Sequence, residues 1–236
     1  MYLDDNSTHS RNFIFGKLYE GHAYASDIIG YAEDLKNPKL RKLIDFYNTW
    51  YVPNNMALIL VGDFDIEATK PLIEKTFGKL QARPLPERTQ YPTTAFAQDE
   101  RYSAKLGYMP ELYIAYNGVP VGDKDELLLD FLGEILSNSM QIGLLDELTL
   151  DNKLMYAGAV NDVRRDQGRF LVVAVPYMDA ETQTYTSLKE TEKLVNEAIQ
   201  QLVSGNITEE LVEAVRQNFY QEFDRTMEYP EMKVQL

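Results

Sequence analysis

The sequence predicts an α+β fold: a mostly antiparallel sheet with helices on one face, divided between two units. Three observations carry this. Apolar residues recur with helical period over 38–50, from Leu128 to Ile135, and over 188–202. Short apolar runs of strand length stand at 56–61, 112–119, 155–163 and 169–176. Between the two halves, 81–98 holds Pro84, Pro86 and Pro92 among polar residues without periodicity, which predicts a linker.

The elements follow in order. Phe13, Ile14, Leu18 and Tyr19 give a weak helical face over about 6–20, ended by Gly21-His22. Residues 22–36 are loop-like. Asn37-Pro38 is a helix start, because Asn caps free amides and Pro fits the first helical position. Leu40, Leu43, Ile44 and Tyr47 then repeat at i, i+3, i+4 and i+7, so a helix is expected over 38–50. Pro53-Asn54-Asn55 breaks it. Met56–Val61 is expected as a buried strand. Asp65 caps a helix over 66–77 with Leu72, Ile73 and Phe77 inward. The same periodicity makes Tyr47, Trp50 and Tyr51 core or domain-contact residues rather than a stacking platform.

In the second half Leu112–Val119 reads as a strand. Asp123 with Glu126 resembles a capping box ahead of a helix carrying Leu128, Phe131, Leu132 and Ile135. Residues 139–153 are expected to be mostly helical. Met155–Val163 and Arg169–Pro176 form two strands joined at Asp166-Gln167-Gly168. A long helix ends at Gly205, and Thr208 with Glu209-Glu210 starts the last one. No repeat with a period of 20–50 residues occurs.

Composition excludes several functions. Of 236 residues 37 are acidic and 23 basic, a net charge of −14. Phosphate binding needs clustered Lys and Arg, so nucleic acid and anionic membranes are disfavoured as partners. No apolar stretch approaches the roughly 20 residues that cross a bilayer. The absence of cysteine removes disulfides, thiolate zinc sites and a cysteine nucleophile. Neither a glycine-rich phosphate loop nor a nucleophile elbow is present. Asp63-x-Asp65 lacks the remaining residues of a calcium loop and is read as the turn into the next helix. Asp4, Asp5 and His9 are read as a solvated helix start rather than a metal site. Asp162, Arg164, Arg165 and Asp166 are read as a solvated hairpin tip.

One stretch is far more specific. The segments Gly21-His22-Ala23-Tyr24, Ile29-Gly30, Asn37-Pro38, Phe46-Tyr47, Tyr51-Val52-Pro53-Asn54-Asn55-Met56 and Gly62-Asp63 stand in an order that resembles the insulysin/pitrilysin family of zinc metallopeptidases, which includes the mitochondrial processing peptidase. Phe77-Gly78-Lys79-Leu80, Ile142-Gly143-Leu144-Leu145, Lys153-Leu154, Gly168-Arg169-Phe170 and the spacing of Gly205, Thr208 and Glu209-Glu210-Leu211 look similar too. Ala23 departs from the family's usual Pro.

The resemblance implies a two-unit metallopeptidase-like arrangement with zinc in the first unit. Residues 1–80 would be the carboxyl-terminal part of that catalytic-type unit, 81–98 a linker, and 99–236 a second, non-catalytic α/β unit. Together 38–225 resemble the family's inactive C-terminal-type region. Catalysis in the family needs an inverted His-x-x-Glu-His motif, in which two imidazoles hold zinc and the Glu activates its water. This chain has only His9 and His22, 13 apart and on no common helix face. If Met1 and Asp5 match the family's Met-x-x-x-Asp stretch, its third ligand lies just ahead of the chain. No catalytic residue and no metal ligand is therefore assigned, and zinc is expected in the parent only. His22 is the one candidate for the wall of a substrate chamber.

The expected function is a non-catalytic segment of a clamshell zinc endopeptidase that encloses and cleaves peptides. Its partners would be peptide or unfolded protein and the remaining half of the same polypeptide. An acidic chamber face would favour basic peptides. The alternative is part of a catalytically dead family member acting in peptide binding or assembly. Neither Met1–Asp5 nor Glu231–Leu236 carries a domain start or stop signal, so a boundary cut at each end is expected.

Overall fold

A computed structural model describes residues 6–233. In chain order its elements are α1 (Asn6–Leu18), α2 (Ala32–Lys36), α3 (Leu40–Trp50), α4 (Ile66–Phe77), β1 (Leu112–Asn117), α5 (Glu126–Leu136), α6 (Leu144–Leu150), β2 (Leu154–Asp162), β3 (Arg169–Pro176), β4 (Met178–Asp179), β5 (Thr184–Tyr185), α7 (Leu188–Val203), α8 (Glu209–Glu228) and α9 (Pro230–Lys233). By packing, the described part of 1–26 joins Tyr91–Glu222 in one unit. Asp27–Gln90 joins the described part of 223–236 in another.

The larger unit is built on an antiparallel sheet of order β1-β3-β2. Leu112 pairs with Ala174 and Asn117 with Arg169 on one side of β3; on the other, Asp162 pairs with Arg169. Side chains alternate along β3, so Phe170, Val172 and Ala174 point one way, into a core with Leu136, Leu145, Leu154, Val195, Ala198 and Ile199. That places α5, α6 and α7 on one sheet face, as the sequence predicts. Leu171 points the other way and meets Leu18 and Tyr19, with Phe15, Phe96 and Ala115 around them. Buried on both faces, β3 reads as a near-continuous apolar run. Each core side chain of this kind contributes about 1.5–3 kcal/mol.

Local chemistry sets the helix ends. The Ser187 hydroxyl accepts from the Glu190 amide at 3.2 Å and starts α7. Thr208 Oγ1 accepts from the Leu211 amide at 3.1 Å and starts α8. The helix expected over 139–153 shrinks to α6. Asn138 Oδ1 takes the Met140 amide at 3.0 Å, and Gln141 adopts a left-handed φ of 56°, which turns the chain before Gly143. Ahead of α5 the capping bond is shifted from the expected box: the Glu126 carboxylate accepts from the Gly122 amide at 2.5 Å.

The smaller unit forms helices α3 and α4 but not its expected strand; α3 starts after Lys39 without the expected Asn37 cap, and Ala32–Lys36, expected as loop, forms α2 with Asn37 at its end. Asp65 Oδ1 accepts from the Ala68 amide at 3.0 Å and starts α4. Asn54 Nδ2 donates to the Arg83 carbonyl at 2.9 Å, and Asn55 Nδ2 to the Trp50 carbonyl at 2.8 Å, so the Pro-Asn-Asn turn is held by its own amides. Met56–Val61, expected as a buried strand, pairs with nothing among the described residues and is exposed throughout. A strand exists only as part of a ladder, and its sequence cannot supply the neighbour. For the same reason Leu72 and Phe77, expected inward, are exposed, as are Tyr47 and Tyr51. Within Asp27–Gln90 only Val52 is buried.

Candidate functional site

The densest polar constellation lies at one end of the larger unit's sheet, where α1 meets the β2–β3 hairpin tip. The last turns of α1 carry Phe15 and Tyr19, stacked at 5.9 Å. Gly21, at a φ of 81°, reverses the chain, a conformation that favours glycine. His22 then caps a short 3-10 turn over Ala23–Ala25: its Nδ1 accepts from the Tyr24 amide at 3.1 Å. From the opposite side the hairpin brings Asp162, Arg164, Asp166 and Arg169.

The contacts interlock. The Tyr19 hydroxyl donates to Asp162 Oδ2 at 2.7 Å, and Arg164 Nε donates to the same oxygen at 2.8 Å. The Arg164 guanidinium lies 4.6 Å from the Phe15 ring centre, 4.9 Å from Tyr19 and 5.1 Å from Tyr24. Three rings around one cation is a cation–π clip whose strength grows as water is excluded. Burial and the bond to Asp162 push the Tyr19 phenol well above its ordinary range, so it stays a donor. Gly168 closes the hairpin, and a Cβ there would collide with the Val119 carbonyl.

Arg169 is buried, and no carboxylate among the described residues pairs with it. It donates to the Leu18 carbonyl at 2.9 Å, the Gly168 carbonyl at 3.1 Å, and both the carbonyl and the hydroxyl of Thr94. Its cation lies over the rings of Tyr19 and Phe96. Burial draws its pKa down from the usual value. The guanidinium ties α1, the 94–96 segment and β3 together.

His22 sits inside this cluster with 1% of its side chain exposed, its ring 4.1 Å from Tyr24 and 4.8 Å from Tyr91. Nδ1 is taken by the turn, and Nε2 makes no hydrogen bond, facing Asp166 Oδ2 at 3.7 Å. Zinc needs several ligands at about 2.0–2.3 Å around one point. His22 offers one buried nitrogen and a single carboxylate, so these residues do not fit a zinc site. Among the described residues no group of three or more His, Asp or Glu is placed to hold a metal ion. His9 lies on α1. Asp4, Asp5 and Met1 lie outside the described residues.

The hairpin tip corrects the sequence reading. Asp162 and Arg164 keep only 22% and 24% of their side chains exposed, while Arg165 and Asp166 are the solvated pair. The Tyr19–Asp162 contact spans 143 positions, so no local spacing in the sequence signals it. Elsewhere, the Asp146 carboxylate takes Ser137 Oγ at 3.0 Å and the amides of Asn138 at 3.0 Å and Gly143 at 2.8 Å. On the sheet's other face, burial and the neighbouring Glu111 push the Tyr113 phenol up to about 12. No helix among the described residues is long and apolar enough to cross a membrane.

Comparison with known proteins places the fold. Residues 39–219 match a family described as the peptidase M16 inactive domain. The chain is 24% identical over 225 residues to the zinc protease PqqE of Helicobacter pylori, covering 91% of this chain and 48% of that protein. Among solved structures, a protease from Helicobacter pylori matches with a TM-score of 0.74 at 19% identity, over 99% of this chain and 60% of that one. A peptidase M16 inactive domain from Pseudomonas fluorescens matches with a TM-score of 0.74 at 16% identity, over 93% of this chain and 52% of that one. At these identities the structural likeness is one of fold. The chain spans about half the length of PqqE.

Proposed function

Since this chain belongs to the peptidase M16 inactive-domain family, we propose that its parent is a zinc-dependent endopeptidase that encloses peptides, and that this segment walls the chamber without touching the chemistry. The observation that carries the reading is the match over 39–219, joined to the use of His22 as a buried turn cap. Zinc belongs to the part of the parent outside these residues, in keeping with a relative named as a zinc protease. In that parent 1–80 would close a catalytic-type unit, and 99–236 would form the second unit after the 81–98 linker. His22 would serve the wall by holding the 22–26 turn against the hairpin tip. The charge of −14 would draw basic peptides toward the wall.

The test is zinc content and peptide cleavage, measured for this chain beside the longer polypeptide that contains it. Zinc and cleavage in the longer form alone are expected. Neither property in either form would overturn the peptidase reading and favour a catalytically dead parent. Raising salt should slow cleavage of basic peptides more than acidic ones, and equal slowing would remove the role assigned to charge.

A further inference from the structure

We propose that His22 is an acid-sensitive switch at the junction of α1 with the hairpin tip. Neutral, it caps the 22–26 turn. Protonated, it gives up that cap and pairs with Asp166, which loosens the turn from the hairpin.

The two ring nitrogens have different tasks. Nδ1 accepts from the Tyr24 amide at 3.1 Å, so it carries no proton. A neutral ring then bears its one proton on Nε2. That nitrogen is withdrawn from water and makes no hydrogen bond. It faces Asp166 Oδ2 at 3.7 Å, beyond hydrogen-bond reach but within that of an ion pair. The second proton of an imidazolium can go only to Nδ1, where it would meet the proton of the Tyr24 amide. Both nitrogens of a charged ring are donors, so charge and cap exclude each other.

Each element packed around the ring bears on the balance. The turn, the 91–96 segment and α1 present aromatic faces: Tyr24 at 4.1 Å, Tyr91 at 4.8 Å and Tyr19 at 6.4 Å. Such faces attract a cation. The hairpin presents Asp166, whose other oxygen lies 3.7 Å from Arg165. It also presents Arg164, over the Tyr24 ring and paired with Asp162, and Arg169, over the Tyr19 ring. These guanidinium groups oppose a further cation, while Asp166 and the rings favour it.

The switch reaches beyond the turn through Tyr24. Its hydroxyl donates to Asp166 Oδ2 at 3.3 Å and accepts from the Asp166 amide at 3.1 Å, which ties the turn to the hairpin. A charged His22 competes for that same Oδ2. Tyr24 also supplies one of the three rings around Arg164. Without the cap the turn keeps its backbone bonds, Ala25 amide to His22 carbonyl and Ser26 amide to Ala23 carbonyl, each at 3.1 Å.

His9 is the only other histidine, so the chain gives two imidazole signals and His9→Gln leaves that of His22. Ring nitrogen NMR and hydrogen exchange at the Tyr24 amide are followed from about pH 8 to about pH 5, the range in which an ordinary imidazole gains its charge. At the upper end the proton should sit on Nε2. As the ring gains its second proton the Tyr24 amide resonance should move with the same midpoint. Exchange of that amide, corrected for its intrinsic pH dependence, should rise roughly 5-fold or more. His22→Asn keeps an oxygen acceptor at the turn and cannot titrate, so its Tyr24 amide should stay protected throughout. Asp166→Asn removes the partner of the cation and should move the midpoint to lower pH. A proton on Nδ1 at neutral pH would overturn the proposal. So would a Tyr24 amide that ignores the ring's titration, a ring that stays neutral until the protein unfolds, or an equal rise of exchange in His22→Asn. An unchanged midpoint in Asp166→Asn would overturn the pairing.

Discussion

Arg169 shows how one side chain can fix three segments. Its donors satisfy the carbonyls of buried Leu18 and Gly168 and of half-buried Thr94. Arg169→Met keeps much of the apolar stem and removes every side-chain donor, so the Leu18 and Thr94 carbonyls lose these bonds while the Gly168 carbonyl keeps the Gly118 amide at 3.1 Å. We expect a loss of about 3 kcal/mol in denaturant unfolding. Glu134 behaves oppositely. Burial, then the charges of Glu222, Asp146 and Asp130, raise its pKa. A carboxyl raised in the folded state favours folding below its unfolded value, and that contribution is lost as pH rises through the folded value. Glu134→Gln should therefore be more stable than the parent at neutral pH, with the advantage vanishing in acid. Unfolding midpoints measured across that range decide it, and an advantage independent of pH would refute the assignment.

At the scale of elements, what was legible in the sequence depended on whether an element closes on itself. Helices α4, α7 and α8 stand where periodicity and caps place them, and α3 where periodicity places it, because helical backbone bonds are local. The β2–β3 hairpin was legible for the same reason: its turn joins neighbours in sequence. Met56–Val61 was misread because a strand needs a partner that no local rule provides. The 139–153 region was misread because Asn138 and Asp146 compete with helix for the backbone. Asp146 carries most of that turn, accepting from Ser137, Asn138 and Gly143. Asp146→Ala should cost about 2–3 kcal/mol and raise exchange of the Asn138 and Gly143 amides first. Unchanged exchange at both would mean the carboxylate is dispensable. The candidate site was the least legible part. His22 could be singled out by residue type, but the pairing of Tyr19 with Asp162 spans 143 positions, and no spacing rule reaches that far.

At the scale of the molecule, the two units differ in kind. One has a core with Val195, Val215 and Leu145 fully buried; Asp27–Gln90 in the other has Val52 alone. Amide exchange on this chain should therefore split into two classes. Strand β3 and helix α7 should be protected to the level of global unfolding, while α3, α4 and 56–61 exchange with little protection. A single cooperative class over all of them would refute the division.

The bond from Arg169 to Leu18 has a further consequence, in time. It joins positions 151 residues apart. At roughly 5–20 residues per second of synthesis, α1 leaves the ribosome on the order of 8–30 s before the guanidinium that will hold it exists. Through that interval Phe15, Leu18 and Tyr19 have no cover from β3. The segment that carries α1 is thus a natural client of a chaperone during synthesis, until the hairpin arrives to cover it.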